Sequence, residues 1–160
     1  MSRGKHKKGI GLIEVIVGAS ILSLAGVGLL MTYALYVNAS LVAPRPIQAA
    51  FLEDEGMEVM RLIRDQNWGS ISGLSLGTTY YLSFDAGAKK WSTAASGVLI
   101  NGIFDRIVVV SAVNRSVSKD IVSSGGTLDP DTKKITVSVS WLYKGATTTK
   151  QLVGYLTKLF

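Results

Sequence analysis

The stretch KHKKGIGLIEVIVGASILSLAGVGLL, Lys5 to Leu30, decides how the chain is read. A basic cluster runs into Gly9, and a long apolar run follows. From Ile10 to Val37 there are 28 residues, and Glu14 is the only charged one. As a helix that run reaches roughly 42 Å, longer than the ~30 Å hydrocarbon core of a bilayer. It is long enough to span a membrane and project beyond it. The question is why a carboxylate stands near the start of a segment that otherwise leaves water.

Composition points to the same segment. Of 160 residues, 48% are hydrophobic and 18% charged, and the apolar excess is concentrated between Ile10 and Val37. The length allows one domain plus an appendage. Arg3, Lys5, Lys7 and Lys8 supply four of the net charge of +6, which leaves +2 for the rest. The basic character is therefore a terminal feature. It reads as the cytoplasmic flank of an inserted helix, and DNA is not indicated as a partner. There is no cysteine, so disulfides, thiolate nucleophiles and Cys-based zinc sites are excluded. The single histidine, His6, lies in the basic leader. No base is evident beside any Ser or Thr, so no catalytic residue is assigned, and no cofactor or metal is expected.

Past the apolar run the texture changes. Residues 38–46, NASLVAPRP, hold Pro44 and Pro46 and predict a break. From 47 to 66 the pattern is helical again, with Ala49, Leu52, Gly56, Val59, Met60 and Ile63 on one face. Glu53, Asp54, Glu55 and Glu58 point in different directions and read as a solvated face rather than a metal cluster. Glu58–Arg61 and Arg61–Asp65 have the spacing to pair. Strands are expected at 78–84, 104–113, 134–143 and 147–160, with the last two forming a hairpin around KGA. Residues 123–133, SSGGTLDPDTK, read as a loop. Asp129, Asp131 and Asp105 fall short of a calcium loop's ligand set, and a turn is the simpler expectation. Trp68, Trp91 and Trp141 read as packing residues. The expected fold class is α+β: a long N-terminal membrane helix continuing into a globular domain with an antiparallel β-sheet.

A secretory signal peptide would explain the basic start, but its apolar region should be about 7–15 residues. A plain transmembrane anchor would let Glu14 snorkel toward the headgroups. More specifically, Lys7-Lys8-Gly9 followed by Ile10-Gly11-Leu12-Ile13-Glu14-Val15 resembles the class III leader of type IV pilins and type II secretion pseudopilins. In that family a basic leader ends in Gly, and the mature chain carries Glu at its fifth position. The family's commonest run is FTLIEV, so this chain differs at the first two positions. It also lacks the mid-membrane proline of many pilins, having Gly26 and Gly28 there, and the C-terminal disulfide of many major pilins.

The resemblance implies cleavage by a prepilin peptidase between Gly9 and Ile10, and N-methylation of Ile10. It divides the chain into a leader at 1–9, a transmembrane assembly helix at 10–37, the Pro-containing segment 38–46 and a pilin-like domain at 47–160. It implies a structural subunit, of the minor kind, of a type IV pilus or pilus-like filament. Residues 49–68 are similar to minor pilins of the V type and type I pseudopilins, so a secretion or competence pseudopilin is an alternative. A membrane-anchored binding domain that never polymerises is another. Its partners would be other pilin or pseudopilin subunits, the inner-membrane assembly platform and membrane lipid. Its place would be the inner membrane as a single-pass precursor, then a filament in the periplasm or at the cell surface.

An unpaired carboxylate at mid-membrane costs about 2.5–3.5 kcal/mol on insertion scales. A neighbouring subunit's new N-terminal ammonium would remove part of that cost, which gives Glu14 its expected assembly role. Gly11, Gly18, Ala25 and Gly28 are read as a small-residue stripe on one side of the helix, with Glu14 at its edge, suited to close helix packing.

Overall fold

The computed structural model describes residues 11–42 and 44–159. Two compact units are present, one ending at Pro44 and one beginning at Arg45. The first carries α1, Leu12–Val42, a helix of 31 residues. It contains no proline, and glutamate appears only in its first turn. Leu12, Ile13, Val15, Ile16 and Val17 are all more than half exposed, so apolar side chains cover the first turns on the sides away from Gly11, Glu14 and Gly18. A helix near the N terminus is thus long and apolar enough to cross a membrane.

The helix α2, Pro44–Gln66, takes up the second unit. Residues 38–42, expected in a break, are helical, and Pro44 and Pro46 stand in the first turn of α2. Proline is tolerated there because the first N–H groups of a helix have no intrahelical acceptor. Ala43 lies outside the described residues. Asn67 and Gly69 end α2: the Gly69 N–H donates to Asn67 Oδ1 at 2.8 Å. A single further turn, α3 (Gly69–Ser72), seats Ile71 in the core.

Six strands follow: β1 Thr79–Asp85, β2 Lys90–Ala94, β3 Asp105–Arg115, β4 Ile121–Val122, β5 Thr127–Tyr143 and β6 Ala146–Thr157. They form an antiparallel sheet in the order β2-β1-β3-β5-β6, with β4 beside the far end of β3. The expected terminal hairpin is present. Lys144 and Gly145 turn it with φ of 49° and 81°, the paired positive values a two-residue hairpin loop requires.

The loop expected over 123–133 is shorter than the sequence suggested, because β5 begins at Thr127. Asp129 pairs with Val113, and the β3–β5 register then shifts so that Ala112 faces Lys133. Residues 130–132 are the extra length on β5. Pro130 lacks an N–H for the ladder and sits where the ladder is interrupted. The Arg115–Asp129 ion pair fastens this end of the sheet.

One face of the sheet lies against α2. Val108, Val110, Ile135, Val137 and Leu156 meet Met57, Val59, Met60 and Ile63 in one buried cluster. Ala49, Phe104, Val139 and Trp141 form a second, in which the Phe104 and Trp141 rings meet edge to face at 6.1 Å. Trp68 and Trp91 pack against the first cluster. The strict alternation at Ile135, Val137, Val139 and Trp141 is what turns β5's apolar side inward. Each fully buried side chain of this kind contributes about 1.5–3 kcal/mol.

Helix and sheet approach closely at Gly56, where an added Cβ would stand 2.8 Å from Val137 Cγ1. Gly56→Leu is expected to force helix and sheet apart and to destabilise the domain by about 1–3 kcal/mol. Thermal unfolding followed by circular dichroism checks this.

Candidate functional site

The sequence places its candidate site on α1, and Gly9 and Ile10 lie outside the described residues. Gly11 opens the helix: its carbonyl accepts from the N–H of Glu14 at 3.0 Å and of Val15 at 3.3 Å. Glu14 therefore sits in the first turn, where the helix dipole favours a negative charge. Among the described residues it has no ion-pair partner.

The serine and threonine hydroxyls of α1 are satisfied within the helix. Ser20 donates to Ile16 O and Ser23 to Ala19 O, both at 2.8 Å, and Thr32 donates to Gly28 O at 2.9 Å. Such bonds let a hydroxyl sit in lipid without an unmet donor. Glu14 is left as the charged group of the helix.

The small-residue stripe is narrower than the sequence reading made it. On a regular helix Gly11, Gly18 and Ala25 fall within about 40°, and Glu14 lies about 20° beyond Ala25. Gly28 lies about 60° beyond Ala25, on the far side of Glu14. Gly11 and Gly18, three residues before and four after Glu14, thus put small residues one turn to either end of the carboxylate, on one side of it. A Cβ added at Gly11, Gly18, Gly26 or Gly28 would meet nothing within 4 Å, so the surface is open.

In the second unit Glu53, Asp54, Glu55 and Glu58 of α2 separate. Asp54 is exposed, Glu58 pairs with Arg61, and Glu55 Oε2 lies 3.2 Å from Arg106 Nη1. Asp65 is bonded by Arg64 rather than Arg61. Glu53 does not belong to a solvated face: it is buried, and its Oε1 has no hydrogen-bond partner. Burial pushes its carboxyl above the usual carboxylate range; Lys150 opposes the rise and Asp54 adds to it. The signal was in the spacing, since 53 falls on the same face as Ala49, Gly56 and Met60.

Asp129 and Asp131 do not converge on a common point with Asp105. Asp129 binds Arg115 and accepts from the Asp131 N–H at 3.0 Å. The Arg115 bond, with help from Thr132, holds the Asp129 carboxyl below its ordinary value. Among the described residues no group of three or more His, Cys, Asp and Glu is placed to hold a metal ion.

A feature the sequence did not reveal is a cleft beside β3. Only Thr79 and Tyr80 of β1 pair with β3, whereas pairing with β2 continues to Asp85. The β1–β2 hairpin therefore peels away and leaves a cavity of about 500 Å³. Tyr81, Phe84, Trp91 and Val98 line it, with Glu55 and Arg106. Gly97 is required at the wall, for a Cβ there would stand 2.3 Å from the Tyr81 ring. Arg106 Nη1 also donates to Leu52 O at 3.3 Å. Arg106 shares the inward side of β3 with Val108 and Val110 at every second position, which is the signal that could have found it.

No family model, no curated protein and no solved structure matches the chain.

Glu53 gives this unit a pH signature. Its folded state holds a proton more tightly than the unfolded chain does. The stability this lends is full below the ordinary value of 4.5 and is lost as pH rises through the raised folded value. Glu53→Gln is expected to flatten that dependence. At neutral pH it should stabilise by about 1 kcal/mol, the scale of a relieved buried polar group. Thermal unfolding at acid and at neutral pH measures both.

Proposed function

We propose that this protein is a structural subunit, of the minor kind, of a type IV pilus or pilus-like filament. It enters the inner membrane as a single-pass precursor, with its basic leader on the cytoplasmic side. A prepilin peptidase cuts after Gly9, and Ile10 becomes the methylated N terminus. The assembly platform then adds the subunit to a filament through α1, and the domain beginning near residue 47 faces outward.

The observation that carries this is one carboxylate, Glu14, in the first turn of a 31-residue apolar helix, five positions beyond the Gly9 of a basic leader. A plain anchor gains nothing from a charge there. A filament subunit does, because cleavage supplies each neighbour with an ammonium at the depth where Glu14 sits. Methylation retains that positive charge. Gly11 and Gly18, one turn before and one turn after Glu14, let a neighbouring helix come close enough for the pair to form. The same parts serve a secretion or competence pseudopilin, and the identity of the neighbouring subunits separates the two.

Glu14→Val tests the pairing. The variant is expected to insert in the membrane at the wild-type level but to leave the filament fraction. Losing as little as 1.4 kcal/mol of pairing energy would lower incorporation by roughly tenfold. Immunoblots of membrane and sheared-filament fractions read both quantities, and wild-type incorporation would remove the role given to Glu14.

A further inference from the structure

The cleft between the β1–β2 hairpin and β3 has a chemistry that the filament reading does not use. Its polar floor is Arg106 beside Glu55, whose side chains are 6% and 47% exposed. Arg106 uses Nη1 for Glu55 and Leu52 O. Its Nε and Nη2 bond to no described group, yet neither is sealed from solvent. The guanidinium is thus held rigidly by burial and keeps donors available at the cleft. Glu55, half exposed, brings acceptor oxygens to the same place. Ser83 and Ser96 also belong to the lining.

Part of the lining is aromatic. Phe84 is half exposed, and its ring centroid stands 5.2 Å from that of Trp91 at an interplanar angle of 50°. The two rings form an apolar corner in the same lining as the donor–acceptor pair. A concave, largely apolar site with a few fixed polar groups is the usual form of a small-molecule pocket.

We propose that this cleft binds a neutral saccharide. The charges of Arg106 and Glu55 balance, so the cleft has no net attraction for an anion, and nucleic acid would find no phosphate-binding cations. A sugar ring presents an apolar C–H face to an aromatic corner and adjacent hydroxyls to a donor and an acceptor set side by side. An aliphatic chain would leave the Arg106 donors unpaired, which is costly at a desolvated site. The inference is independent of the filament reading, since binding requires neither cleavage nor assembly.

The test uses the full chain in zwitterionic micelles, which carry no sugar headgroups. N,N′-diacetylchitobiose, maltotriose, lactose and a glutamate-rich peptide are titrated while ligand-observed saturation-transfer NMR is recorded. At least one of the three saccharides is expected to bind saturably, with a dissociation constant on the order of millimolar. Phe84→Ala removes a half-exposed wall, and it is expected to weaken that binding by roughly tenfold while the unfolding temperature stays within a few degrees of wild type. Arg106→Lys, which loses the planar fork, is expected to weaken it as well. Absence of saturable binding by all three saccharides, unchanged binding by a folded Phe84→Ala variant, or preference for the acidic peptide would each overturn the proposal.

Discussion

An apolar helix that carries one carboxylate sets a condition on everything around it. Desolvating that group costs several times the thermal energy, and the helix dipole at its own first turn offsets only part, about 0.3–1 kcal/mol at exposed sites. The remainder requires either water at the membrane surface or a cation from another molecule. On the proposed reading the cation is made by proteolysis, at the N terminus of a neighbouring copy or relative. The hydroxyls of Ser20, Ser23 and Thr32 follow a different rule, each bonded within its own helix. The contrast leaves Glu14 as the group of this segment suited to specifying a partner.

The domain beyond α1 has its own organising contact. Helix α2 lies over the sheet through Gly56, and the absence of a side chain there lets Val137 come close. The same packing brings polar groups into an apolar layer. Arg106 Nη1 is engaged by Glu55 and the Leu52 carbonyl, while Nε and Nη2 bond to no described group. Glu53 has an unbonded oxygen and a raised affinity for a proton. Where α2 and β3 meet the departing β1–β2 hairpin, Arg106 and Glu55 line the cleft that the parting of β1 from β3 leaves.

Much of this was legible in the sequence. Alternation at Ile135, Val137, Val139 and Trp141 gave β5 and its inward face. Three- and four-residue steps from Ala49 to Ile63 gave α2. The long apolar run gave a helix able to span a membrane. What escaped had physical causes. Pro44 and Pro46 suggested a break because proline disrupts helix interiors, but a first turn tolerates it. The Gly- and Asp-rich stretch before Lys133 read as a loop, yet a salt bridge to Arg115 and a register shift draw its second half into the sheet. Glu53 and Arg106 were passed over because charged residues are seldom buried, although each obeyed the period of its element. The cleft depends on where β1 parts from β3, a tertiary event that no local pattern encodes.

The account turns on the creation of a positive N terminus at Ile10. Intact-mass and N-terminal sequencing of the protein recovered from its native host measures this directly. The expected product lacks residues 1–9, begins with Ile10 and carries a methyl group on that residue. A protein that retains Met1, or loses only that residue, would leave Glu14 without its cation and would contradict the account.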